Sequence, residues 1–178
     1  KYGTPVYVYS ATKFKENLEE YLASVRKRDK VCFSVKSNSN IHLLKMLANL
    51  GSGFDVVSGN ELKRCLEIGA KPQDIVFSGV GKTLEEISLA IKEDVFSINI
   101  ESEEELDRII KVAKGLDKKA ECIIRINPNT SSESHPYIQT GLRTSKFGVL
   151  RERIDSLIIK ASESGFINIK GIASHLGS

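Results

Sequence analysis

The sequence predicts an α/β protein built as a (β/α)8 TIM-type barrel, of which these 178 residues supply about six of the eight strands. Two observations lead to this prediction. Strand patterns and helix patterns alternate along the chain at near-regular intervals, which is typical of a parallel sheet. In addition, each well-defined strand has one apolar face and one face that carries polar side chains.

The elements follow from short apolar or alternating runs and from helical spacing. The predicted strands of the repeat lie near 31–36, 54–58, 75–79, 96–100, 121–127 and 169–175. Before the repeat, the pattern indicates a strand at 5–9 and a helix over 11–28. Apolar stripes predict helices over 39–50 and 150–164, and capping boxes at 83–86 and 102–105 begin two more.

The alternation of side chains within a strand favours a barrel over an open sheet. In the fifth strand of the repeat, Ile123, Arg125 and Asn127 share the face opposite an apolar one. Helices would cover the apolar face, and the polar face would line a barrel interior or a cleft. A doubly wound open sheet requires both strand faces to be apolar, so the barrel is preferred and the doubly wound sheet stays an alternative.

Composition excludes several classes of protein. The 26 basic and 23 acidic residues are interleaved and leave a net charge of +3, which argues against a nucleic-acid-binding surface. The three cysteines and three histidines are dispersed, which predicts neither a disulfide framework nor a metal site. We expect no membrane span and no signal peptide, and therefore a cytoplasmic protein.

Four residues at the predicted carboxyl ends of strands are candidates for catalysis. They are Lys36, Asp55, Arg125 and His175, an amine, a carboxylate, a guanidinium and an imidazole. A lysine in low-dielectric surroundings loses its proton more easily and reacts with aldehydes as a Schiff-base former. Each residue also has a structural interpretation, as a solvated strand end, a turn cap or an internal ion pair.

Two further segments have simpler interpretations on the residues alone. Glu61 fits a capping box with Ser58 at the start of a helix. The stretch 79–83, Gly-Val-Gly-Lys-Thr, resembles the end of a phosphate-binding loop but lacks the first glycine of that motif. As a strand-to-helix turn, it retains the ability to bind an anion.

Several segments taken in order resemble one family, the alanine-racemase-fold (fold type III) pyridoxal 5′-phosphate decarboxylases. The matching segments are Tyr2–Tyr9, Phe33–Asn38, Phe54–Leu62, Val76–Thr83, Arg125–Pro128, His135–Leu142, Lys146–Gly148 and His175–Ser178. The stretch from His135 to Gly148 favours the members that act on diaminopimelate over those that act on ornithine or arginine.

The resemblance implies a role for each site residue. Lys36 would carry the pyridoxal 5′-phosphate covalently, and His175 would stack on its ring. The other implied cofactor-binding residues are Asp55, Glu61, Arg125 and Ser178. The segment 128–148 would form a loop over the substrate. The chain departs from the family at 173–174, where Ala-Ser stands in place of His-Cys.

The resemblance also implies the reaction and the assembly. The expected reaction is decarboxylation of meso-2,6-diaminopimelate to L-lysine, in lysine biosynthesis, by a homodimer with shared active sites. We expect the chain to consist of two parts, an N-terminal strand and helix over 1–29 and a partial cofactor-binding barrel over 30–178. A C-terminal β-domain would be missing, so the fragment alone would be inactive. The alternatives are a decarboxylase of ornithine, arginine or carboxynorspermidine, or a non-catalytic homologue that binds the cofactor.

Overall fold

The structure, a computed structural model, describes residues 1–127 and 147–175. Strands and helices alternate through these two ranges, as predicted. The strands are β1 (Cys32–Ser34), β2 (Gly53–Val56), β3 (Ile75–Phe77), β4 (Ser97–Ile100), β5 (Ala120–Asn127), β6 (Val149–Leu150) and β7 (Ile167–Ser174). The helices are α1 (Ala11–Ser24), α2 (Ile41–Asn49), α3 (Gly59–Glu67), α4 (Leu84–Lys92), α5 (Glu103–Leu116) and α6 (Ile154–Ser164).

Sheet topology decides between the barrel and the doubly wound alternative. Strands β1 to β5 lie side by side in chain order, and β6 and β7 both pair with β5; every pairing is parallel. A doubly wound sheet reverses its strand order at a switch point, whereas a barrel adds each new strand beside the last. The uninterrupted order β1 to β5 is that of a (β/α) barrel wall, and it confirms the predicted fold class.

The core lies between the sheet and the helices. Its largest fully buried side chains include Phe54, Phe77, Ile98 and Ile124 on the strands, and Leu106 is buried opposite them on α5. These strand residues lie on the face that the alternation predicted to be apolar. Helix α1 joins the same core, because Leu18 is buried in this cluster.

Local capping explains where the helices begin. Thr83 and Glu86 form the predicted capping box at the start of α4. One carboxylate oxygen of Glu86 belongs to this box. Its second carboxylate oxygen accepts a hydrogen bond from the Gly59 backbone N–H at 2.6 Å, which ties α4 to α3. Ser102 accepts from the Glu105 backbone N–H and caps α5, but the predicted box at 102–105 is only half formed, because the Glu105 carboxylate accepts from the Glu101 N–H. These bonds satisfy N–H groups that the first helical turn leaves without partners.

Away from the strand ends that carry the candidate residues, three predicted elements differ from the structure. Residues 5–9 form no strand, although they lie in the described part of the chain, and their side chains are exposed. The first helix ends at Ser24, because the basic run after it turns around a hydrogen-bonded pair, Arg26 and Asp29. The helix predicted over 150–164 begins only at Ile154, after β6 and a short 3-10 turn at Arg151–Arg153. A two-residue strand leaves no alternation to detect.

Candidate active site

The polar ends of the parallel strands meet at one edge of the sheet. Asp55 lies on β2, Arg125 lies on β5, and His175 follows β7 directly. Lys36 lies two residues beyond the end of β1, directly after the buried Val35. Because all the strands are parallel, these residues share the carboxyl-terminal edge, where barrel enzymes build their active sites. The structure therefore brings together the four candidates predicted from their positions.

Lys36 is placed differently from the prediction in two respects. It lies in a 3-10 turn, Val35–Ser37, and not within the strand that was predicted over 31–36. Its side chain is exposed and not in low-dielectric surroundings. The Ser37 hydroxyl donates to the Ser34 carbonyl at 2.7 Å and closes this turn. The turn presents the amine at the rim of the sheet, where a small molecule has access to it.

Asp55 is held on the inner face of the sheet by two hydroxyl groups. Ser34 donates to one carboxylate oxygen at 3.2 Å, and Ser78 donates to the other in a short hydrogen bond. The Asn99 amide in turn donates to the Ser78 hydroxyl at 3.0 Å. The contacts join residues of β1, β2 and β4 with Ser78, which directly follows β3, and they show that Asp55 is a fixed acceptor and not a turn cap.

Arg125 forms a largely buried ion pair with Glu101, a partner that was not predicted from the sequence. Its Nη1 atom lies 2.9 Å and 3.0 Å from the two carboxylate oxygens of Glu101. The side chains of Arg125 and Glu101 are 12% and 2% exposed. Glu101 also accepts from the Gly79 backbone N–H at 3.1 Å. Glu101 continues the polar face of the fourth strand two residues beyond Asn99, and this parity was the available signal.

The pKa of His175 is shifted by burial and by the charges of the groups around it. Burial lowers the pKa of its imidazole below the ordinary 6.5, and the positive charges of Arg125 and Lys36 lower this pKa further. The negative charges of Asp55 and Glu101 act in the opposite direction. The net shift is downward, so His175 is a neutral imidazole at neutral pH. Its electrostatic coupling to four charged residues supports their convergence on one site.

Two residues from the predicted set stand apart from this convergence. The Glu61 carboxylate accepts from the Val57 backbone N–H at 2.8 Å, and its own backbone N–H donates to Ser58. Ser58 therefore caps the helix as predicted, but the reciprocal half of the predicted capping box is absent, because the Glu61 carboxylate binds the Val57 N–H and not the Ser58 N–H. Ser178 lies outside the described residues, as does the predicted substrate loop up to position 146. Their predicted roles stay predictions.

The described residues give two further findings. None of the helices in residues 1–127 and 147–175 has the length and apolar character that crossing a membrane requires. Within the same two ranges, there is no group of three or more His, Cys, Asp or Glu side chains suited to a metal ion.

Comparison with known proteins assigns the family. The model for the pyridoxal-binding domain of pyridoxal-dependent decarboxylases matches residues 11–178. Diaminopimelate decarboxylase of Campylobacter jejuni is 45% identical in an alignment of 181 positions that covers 100% of this chain and 44% of that protein. The crystal structure of Helicobacter pylori diaminopimelate decarboxylase complexed with L-lysine aligns with a TM-score of 0.96 at 41% identity, over 99% of this chain and 45% of that one.

A more distant relative sets the scale of these values. The arginine decarboxylase of Paramecium bursaria Chlorella virus, bound to agmatine, has a TM-score of 0.78 at 27% identity, over 93% of this chain and 43% of that one. The chain thus spans less than half the length of the proteins it matches. Since the family model covers nearly all of its residues, the chain belongs to the pyridoxal-dependent decarboxylases and corresponds to their pyridoxal-binding domain.

Proposed function

We propose that the chain is the cofactor-binding part of a longer pyridoxal 5′-phosphate-dependent decarboxylase that converts meso-2,6-diaminopimelate to L-lysine. The observation that carries this proposal is the position of the Lys36 amine at the rim of the sheet. The charges of Lys36, Arg125 and Asp55 all act on the His175 imidazole, which indicates that the four groups lie close together. The substrate is argued from similarity. Identity is 36–45% to the diaminopimelate decarboxylases compared with the chain, against 27% for the arginine decarboxylase.

The residues at the rim fit the chemical groups of pyridoxal phosphate. The aldehyde requires an accessible primary amine, and the exposed Lys36 provides one. The pyridine ring requires a flat partner, and the uncharged imidazole of His175 is suited to that contact. Asp55 and Arg125 would supply the polar surroundings. Glu61 and Ser178 complete the set that we propose to bind the cofactor.

The reaction divides between cofactor and protein. Bound pyridoxal phosphate supplies an electron sink for the charge left when CO₂ departs. Lys36 would hold the cofactor through its amine, and the exposure of its side chain leaves that amine accessible to a small molecule. His175 would supply a flat, uncharged surface for one face of the cofactor ring and would so restrict its orientation. Burial and the positive charge of Arg125 lower the pKa of His175 and favour its neutral imidazole, and Glu101 binds the Arg125 guanidinium in a largely buried ion pair.

The assembly and location are also proposals. We propose a homodimer with shared active sites and a cytoplasmic enzyme, and the support for both is the resemblance of the chain to the family. Light scattering on the complete enzyme would measure its mass in solution. A monomer that retains full turnover would contradict shared active sites.

The test of function uses the complete enzyme and the variant Lys36→Ala. We expect the variant to lose both the visible absorbance of bound cofactor and CO₂ release from meso-diaminopimelate, because no other group would take the place of this amine. Lys45→Ala is the matched control, since Lys45 is an exposed lysine on the neighbouring helix α2. Normal turnover by Lys36→Ala would contradict the assignment.

Parallel assays on the unmodified enzyme separate the alternatives. Faster CO₂ release from ornithine, arginine or carboxynorspermidine than from meso-diaminopimelate would indicate a sister decarboxylase. Cofactor absorbance without CO₂ release from any of them would indicate a non-catalytic homologue. The absence of both signals would contradict cofactor binding itself.

A further inference from the structure

Directly behind the candidate site lies a buried lysine that the site as described does not use. The side chain of Lys82 is 1% exposed, in the turn between β3 and α4. Its ammonium donates to the carbonyl oxygens of Gly79 and Asn99, each at 2.7 Å, and to the Glu105 carboxylate at 3.1 Å. Three acceptors match the three N–H bonds of an ammonium group, so the buried charge is fully hydrogen-bonded.

Two of these three contacts also fix the position of Glu101, one through its backbone and one through its side chain. The Glu105 oxygen that binds Lys82 also accepts from the Glu101 backbone N–H at 2.9 Å. Gly79, whose carbonyl accepts from Lys82, donates its own N–H to the Glu101 carboxylate at 3.1 Å. The backbone and the side chain of Glu101 are therefore each anchored by a group that Lys82 holds.

Glu101 transmits this placement to the candidate site. Its two carboxylate oxygens bind the Arg125 guanidinium, and the charges of both residues act on His175. The charges named for the pKa shift of His175 are those of Arg125, Lys36, Asp55 and Glu101. The contacts of Lys82 reach the imidazole through Glu101 and Arg125.

We propose that Lys82 is a positioning residue that, paired with Glu105, holds Glu101 and thereby orients the Arg125 guanidinium beside His175. This inference rests on the proposed function for its effect on turnover. It assigns a role to the lysine of the Gly-Val-Gly-Lys-Thr stretch that differs from phosphate binding, because the buried ammonium is already bound to three protein oxygens.

Three variants of the complete enzyme test the proposal. Lys82→Met removes the ammonium but leaves a buried carboxylate, which is costly and can prevent folding. Lys82→Met combined with Glu105→Gln removes both charges and preserves an acceptor for the Glu101 N–H. Lys118→Met is the matched control, because Lys118 also donates to a carboxylate and a carbonyl, Asp94 at 2.7 Å and Lys92 at 2.9 Å, but on the surface.

Two readouts separate positioning from a merely structural role. We expect the double variant to fold, with kcat at least about tenfold below the parent value, as misplacement of an active-site group produces. We also expect the His175 titration midpoint, followed by NMR of labelled histidine, to fall by about 0.3 pH unit or more, because a loosened Glu101 compensates Arg125 less well. The other charges that face His175, Lys36 and Asp55, are unchanged in this variant. Lys118→Met should alter neither quantity.

Several results would overturn the proposal. A folded double variant with kcat within about twofold of the parent, or with an unchanged His175 midpoint, would reduce Lys82 to a structural role. Failure of both Lys82 variants to fold would likewise make it a folding residue. If the parent enzyme releases no CO₂ from meso-diaminopimelate, the proposed function fails, and the His175 midpoint alone decides the positioning role.

Discussion

Replacement of Glu101 by glutamine tests the buried ion pair at the centre of the candidate site. Glutamine has nearly the same shape and can still accept from the Gly79 N–H, so the change mainly removes the negative charge opposite Arg125. The two side chains are 2% and 12% exposed, which places the pair in the buried class. Removal of one partner from such a pair costs about 3–5 kcal/mol. Because the Gly79 contact survives, we expect a loss near the lower end, about 3 kcal/mol.

The assay measures the free energy of unfolding in denaturant for the complete enzyme and its variants. The signal comes from a probe that reports on this domain. Glu103→Gln is the matched control, because Glu103 forms a surface pair with Lys160 at 3.4 Å. An exposed pair is weakened by solvent screening, so the control should unfold like the parent.

A second measurement on the same variant tests the electrostatic part of the reasoning. The Glu101 charge raises the pKa of His175, so its removal should lower the titration midpoint of this imidazole. An unfolding free energy for Glu101→Gln that equals the value for the control would refute the energetic argument. A midpoint that rises would refute the electrostatic one.

Two further predictions concern His175 and a close backbone approach. The pKa of His175 in the folded state lies below the unfolded value of 6.5, so the unfolded state binds more protons at pH values around and below 6.5. The free energy of unfolding should therefore decrease as the pH falls from 6.5 towards the folded pKa. His175→Gln should weaken this pH dependence, and denaturation between pH 5 and 8 would measure the difference. Gly148→Ala should destabilise by about 1–3 kcal/mol, because φ is +79° and a Cβ atom would lie 3.0 Å from the Asn127 nitrogen and 3.1 Å from the Arg125 oxygen. Gly115→Ala, in α5 with open space around it, should instead be neutral or stabilising, and equal unfolding of the two variants would contradict the steric argument.

Repeating patterns made much of the fold predictable. The alternation of strand and helix, the apolar face of each repeat strand and the capping box at Thr83 are local signals, and the structure confirms them. The strand at 5–9 was wrong because an alternating pattern records only the tendency to pair. Pairing itself requires a neighbouring strand, and the described residues form none beside this segment.

The sequence by itself determined which residue types stand at the ends of the strands, because side-chain parity and strand length are local properties. Lys36, Asp55, Arg125 and His175 could be selected on that basis. Only the tertiary structure decided their partners. Glu101 binds Arg125 across 24 positions of sequence, and Lys82 binds Glu105 across 23. Such contacts depend on strand register and on helix packing against the sheet, and no local pattern encodes the distance between two atoms on different strands.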